Sequence, residues 1–85
     1  MKFPANVTRF AHACKRWANR NSHMPEATRL FPTDDGGWLV RVPMQKEFSK
    51  GFFFNGNNTV TVKNRLSDRG GTVMSLDAFC IAYGG

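Results

Sequence analysis

Apolar residues between Phe3 and Arg20 recur at Val7, Phe10, Ala11, Cys14, Trp17 and Ala18. This is the i, i+3, i+4, i+7 spacing of a helix that lays one face on a core. Pro4 suits the first turn, Asn6 or Thr8 is placed to cap the start, and Asn21, Ser22 and Pro25 end the run. The period then changes. From Ala27 to Met44, two β-compatible stretches, ATRLFP and WLVRVPM, flank the turn-forming TDDGG and read as a hairpin. Trp38, Val40, Val42 and Met44 alternate onto one face. Symmetric pairing about the loop sets Leu30 opposite Val40 on the buried side. It sets Arg29 opposite Arg41 on the other side, beside Phe31 and Leu39.

Gln45 to Lys50 is a charged bridge. After it, GFFFNGNNTVTVKN carries an aromatic run, an Asn-Gly turn signal and then Val60 and Val62 alternating with Thr, which reads as a second hairpin. Phe52, Phe53 and Phe54 cannot all face one side of a strand, and an exposed member of the triplet would mark a binding surface. Arg65 to Thr72 reads as a loop, whose Arg69-Gly70-Gly71 has the makings of a backbone anion nest but is also ordinary loop chemistry. Ser75 is placed to cap a short helix with Leu76, Phe79, Cys80 and Tyr83 inward and Gly84 as its stop. The expected architecture is α+β in a single domain over residues 1–85. It has an N-terminal amphipathic helix, an antiparallel sheet of three to four strands in two hairpins, and a short C-terminal helix on the same sheet face.

Charge adds a direction to this frame. The chain of 85 residues carries a formal +6. Residues 1–25 hold +5 with no acid, 26–50 balance at zero, and 51–85 hold +1. On the first helix Arg9, His12, Arg16 and Arg20 collect opposite the apolar stripe, with Lys15 on the flank. His12, Arg16 and Arg20 follow one another at i+4, where like charges repel by about 0.2–0.5 kcal/mol per pair. Cations near a helix C-terminus also answer the macrodipole, so a solvated face accounts for part of the pattern. The remainder suits an anionic partner. The outer patch of the first hairpin, with Arg29, Arg41 and Phe31, suits an anionic or stacking ligand for the same reason; directly opposed arginines destabilise a strand pair.

Candidate chemistry is thin. His12 and Cys14 are two apart on a helix and point different ways, and Asp34 and Asp35 sit in a turn where Asp bonds the local backbone. His12, Cys14, His23 and Cys80 lack zinc-ligand spacing. There is no phosphate loop, dinucleotide-binding glycine pattern or nucleophile elbow. No enzymatic activity, metal or cofactor is expected. Cys14 and Cys80 lie in apolar patterns as reduced thiols. No secretory leader follows Lys2, and no stretch approaches the roughly 20 apolar residues of a membrane span. A cytoplasmic, non-membrane protein is the expectation.

The order of helix, strands and helix resembles the double-stranded-RNA-binding domain over a similar length. That family's contacts come from its first helix, its first hairpin loop and a basic start to its last helix. Here the loop is acidic (Asp34-Asp35) and the last helix opens Ser75-Leu76-Asp77, so those roles are not carried over. Two functions follow. The first is nucleic-acid binding, DNA or RNA, through Arg9, His12, Lys15, Arg16 and Arg20 of the helix, with Arg29 and Arg41 and with Phe31 stacking on bases. The alternative is a small inhibitor or adaptor docking on an acidic protein surface, anchored by Trp17 or the hairpin patch. In style the short, basic, Phe- and Asn-rich chain is similar to accessory proteins of bacterial viruses.

Overall fold

The computed structural model describes residues 3–44, 49–66 and 68–84. Helix α1 spans Ala5–Asn21, and the strands are β1 Arg29–Pro32, β2 Trp38–Pro43, β3 Ser49–Phe54, β4 Thr59–Lys63 and β5 Thr72–Ser75; helix α2, Leu76–Gly84, closes the chain. A single turn of 3₁₀ helix, Pro25–Ala27, links α1 to the sheet. The five strands form one antiparallel meander in sequence order. The three to four strands expected become five, because Thr72–Ser75 pairs with β4, Val60 opposite Met74. The charged bridge lies outside the described residues over 45–48, and its last two residues, Ser49 and Lys50, open β3.

The first hairpin pairs in the symmetric register, Leu30 opposite Val40 and Arg29 opposite Arg41. Its loop is tied by the Thr33 hydroxyl, which donates to the Asp35 carboxylate, and by the Gly37 amide, which donates to Thr33 Oγ1 at 3.0 Å. Those bonds hold the Asp35 carboxyl below its ordinary pKa, the Thr33 hydroxyl contributing most and the Gly37 amide next.

α1 starts earlier than the capping signals suggested. Pro4 occupies the N-cap position without a side-chain cap, and the Thr8 amide donates to the Pro4 carbonyl at 3.1 Å. Asn6 instead bonds the Asn58 side chain at 3.0 Å. Asn58 holds the left-handed φ of 61°, which Asn tolerates better than most residues. Its carbonyl accepts the Leu76 amide at 2.7 Å, so this turn residue joins both helix starts to the β3–β4 corner. At α2 the predicted cap is present: the Ala78 amide donates to Ser75 Oγ at 3.1 Å.

Both helices lie on one face of the sheet, α1 against β2 and β3 and α2 against β4 and β5. Val40, Val42, Phe52, Phe54, Val60 and Val62 rise from the sheet to meet Val7, Phe10, Cys14 and Ala18 of α1 and Leu76 and Phe79 of α2. Phe52 sits at the centre, its ring 5.4 Å from Trp17, 5.3 Å from Phe79 and 5.6 Å from Tyr83. Trp17, the candidate anchor for a protein partner, is partly buried in this cluster. Lys50 closes its margin. Its ammonium stands 5.2 Å from the Trp17 ring centroid and donates to Asn64 Oδ1 at 2.9 Å, and burial lowers its pKa. Cys14 and Cys80 are free thiols, and burial raises the pKa of Cys14 well above the ordinary thiol value.

The buried arc of α1 is rotated from its predicted apolar stripe: Ala13 is buried, while Ala11 is only half-buried. A Cβ on Gly84 would come within 2.9 Å of Ala13 Cβ, so α1 and α2 touch through two of their smallest residues. Contacts run from Arg9 with Asp77 to Ala13 and Arg16 with Gly84. The two helices therefore point the same way, with their N-terminal ends side by side and the last residue of α2 beside the middle of α1.

Candidate nucleic-acid interface

The cations of α1 are not left uncompensated by the fold. Arg9 pairs with Asp77 at 2.9 Å, both side chains exposed. So exposed a pair is screened by solvent and adds little to stability. Arg16 donates to the Gly84 carbonyl at 3.2 Å and Arg20 to the Tyr83 carbonyl at 2.7 Å. These are terminal carbonyls of α2, the negative end of its dipole. Arg9, Ala13, Arg16 and Arg20 are one stripe, and that stripe faces α2. No acid lies within residues 1–25, and the partners of these arginines come from more than sixty residues later in the chain. His12 and Lys15 are exposed on the same side of the molecule.

The opposite side of the sheet is different. No described element covers it, apart from Leu66 folded over Gly51. Strand register sorts its side chains into three parallel rows. Arg29, Arg41, Gly51 and Lys63 stand opposite one another across β1 to β4. Two residues along, Phe31, Leu39, Phe53, Thr61 and Val73 form the second row. Two further along lie Thr33, Gly37, Asn55, Thr59 and Ser75, all polar or glycine, continued from the paired strands by the Thr33–Gly37 and Asn55–Thr59 backbone bonds.

The first row is cationic at Arg29, Arg41 and Lys63, interrupted at Gly51 by Leu66, and its cations are partnered weakly. Arg29 donates to the Glu26 and Thr28 carbonyls at 2.9 and 3.2 Å, and Arg41 Nε donates to Ser49 Oγ at 3.1 Å. No described carboxylate forms a salt bridge with Arg29, Arg41 or Lys63. The second row is mostly apolar and open at its ends, Phe31 42% and Val73 63% exposed, with Leu39, Phe53 and Thr61 half-buried between them. Phe53 is the member of the triplet that turns outward, and the Lys63 ammonium sits 5.0 Å from its ring centroid. The third row ends at the acidic loop. A shallow depression of about 260 Å³ there is lined by Thr33, Asp34, Asp35, Phe53 and Asn55. Charge across the face thus runs from positive, through aromatic, to polar and acidic.

Of the residues singled out from sequence, the fold brings Arg29, Arg41 and Phe31 together on this face and places Arg9, His12, Lys15, Arg16 and Arg20 on the other side. Sequence reasoning missed Lys63. The signal was available in the parity of the second hairpin, which sets Lys63 across from Gly51 and so level with Arg41. Among the described residues no three His, Cys, Asp or Glu side chains gather as a metal site, and no helix is long and apolar enough to cross a membrane. Neither a protein-family model, nor a curated protein, nor a solved structure matches the chain.

Proposed function

We propose that the protein binds nucleic acid without acting on it chemically, and that the ligand lies on the open face of the sheet. The observation that carries this reading is the register that places Arg29, Arg41 and Lys63 in one row and Phe31, Leu39 and Phe53 in the next. Cations with no carboxylate partner among the described residues neutralise phosphates, and the adjoining aromatic row offers a surface for bases. The directly opposed Arg29 and Arg41 support the reading. A strand pair gains nothing from such a juxtaposition, whereas an anionic ligand bridges both. The arginines of α1 serve mainly to join α1 to α2, and their remaining charge adds long-range attraction. Cys14 and Cys80 are both unpaired thiols, the state maintained by the cytoplasm, where we place the protein.

The test is salt dependence. Three phosphate contacts on a single strand give a log–log slope of about −2, so affinity for a labelled oligonucleotide is expected to fall about 15- to 20-fold between about 50 and about 200 mM salt. Fluorescence anisotropy measures it. An affinity flat with salt, or no binding at the lower salt, removes the nucleic-acid reading. Docking of the same cations on an acidic protein surface would then take its place.

A further inference from the structure

Building on the proposed nucleic-acid reading, we infer that the ligand is a single strand laid across the β-strands, its phosphates over the cationic row, its bases on Phe31 and Phe53, and its base edges toward the polar row.

Three observations fix this path. The cationic and aromatic rows are parallel and two residues apart along each strand, a separation of about 6.5 Å, so a polynucleotide lying along one row meets the other with its bases. The acidic turn with Asp34 and Asp35 stands at the far side of the aromatic row. Phosphates are repelled there, which sets the strand with its backbone toward Arg29, Arg41 and Lys63. Base edges then meet Asn55, whose amide nitrogen is already committed to Thr59 and Thr61 at 3.2 and 2.9 Å, leaving its oxygen to accept from a base amino group.

A duplex fits this arrangement poorly. Its base faces are stacked inside the helix, so the aromatic row would have nothing to stack on. The open face also carries no protruding helix or ribbon to enter a groove among the described residues. A single strand offers unstacked bases to aromatic rings. The length of the site follows from strand spacing. From Phe31 to Val73 is four strand intervals, about 19 Å. At 3.4 Å or more per nucleotide this row holds no more than about five nucleotides.

The experiment measures binding of the full chain to oligo-dT of increasing length, and to a mixed-sequence oligonucleotide alone and annealed to its complement. Affinity is expected to rise with length up to about five nucleotides and only gradually after that. The single strand is expected to bind more tightly than the duplex. Phe53→Ala is expected to weaken single-strand binding by about 5- to 150-fold, the worth of one stacked base, with the duplex unaffected and with Phe53→Tyr restoring affinity. Phe53 lies outside the core cluster, so the variant keeps its fold, as its circular dichroism melt will show. In a Phe53→Trp variant the indole emission is expected to be quenched by single strands. If the duplex binds as well as the single strand and Phe53→Ala changes neither, the single-strand path is wrong while the nucleic-acid reading stands. If neither form binds, the nucleic-acid reading fails and the path with it.

Discussion

Phe52→Ala is expected to cost about 3–5 kcal/mol of stability, whereas the neighbouring Phe53→Ala is expected to cost little and to act on binding instead. Phe52 is fully buried, and its ring packs on Trp17, Phe79 and Tyr83. Truncation leaves a cavity under both helices and removes aromatic pairs that each contribute about 0.5–1.5 kcal/mol beyond their buried area. A domain of this length holds a total of about 4–13 kcal/mol, so the loss is a large part of it. In a thermal melt followed by circular dichroism, the midpoint is expected to drop by about 15–30 °C. Phe53, one residue on, points to the other side of β3 and gives up a partly exposed ring. Equal melting points for the two variants would show that the alternation through the triplet is wrong, and with it the assignment of the open face.

Arg29→Glu is expected to change stability and binding in opposite directions. Arg29 and Arg41 are directly opposed on β1 and β2. Replacing one by a carboxylate exchanges a repulsion for an attraction, on the order of 0.2–1 kcal/mol. The variant is therefore expected to melt a few degrees higher. It also loses a phosphate contact, which lowers the salt slope by about one and the affinity about tenfold or more. Lys15→Glu makes the same change in net charge on the exposed side of α1 and is expected to leave affinity nearly unchanged. Equal losses in the two variants would mean that total charge, not the row on the sheet, governs binding.

Much of the fold could be read from local patterns. The helical period from Val7 to Ala18 gave α1, and the symmetric TDDGG loop gave the register of Arg29 with Arg41, because a short loop leaves little freedom in how its strands align. The triplet Phe52–Phe54 announced one outward ring without saying which. What escaped was set by contacts distant in sequence. The four residues Thr72–Ser75 carry too little alternation to declare a strand, and only pairing with β4 makes them one. The acid-free stretch before Glu26 suggested an exposed cationic face, but α2 brings Asp77 and its terminal carbonyls to Arg9, Arg16 and Arg20. Ala13 gave no hint of burial either, since its contact is with Gly84 at the other end of the chain. The candidate site was visible as fragments, Arg29, Arg41 and Phe31. The sheet joined them to Lys63, Leu39 and Phe53.

The most direct test of the open face as the ligand surface is a titration of the isotope-labelled protein with a short single-stranded oligonucleotide, followed residue by residue through its amide resonances. Shifts are predicted to concentrate at Phe31, Leu39, Arg41, Phe53, Thr61 and Lys63, with His12 and Lys15 still. Shifts confined to α1 and α2, with the outer rows of the sheet unmoved, would contradict it.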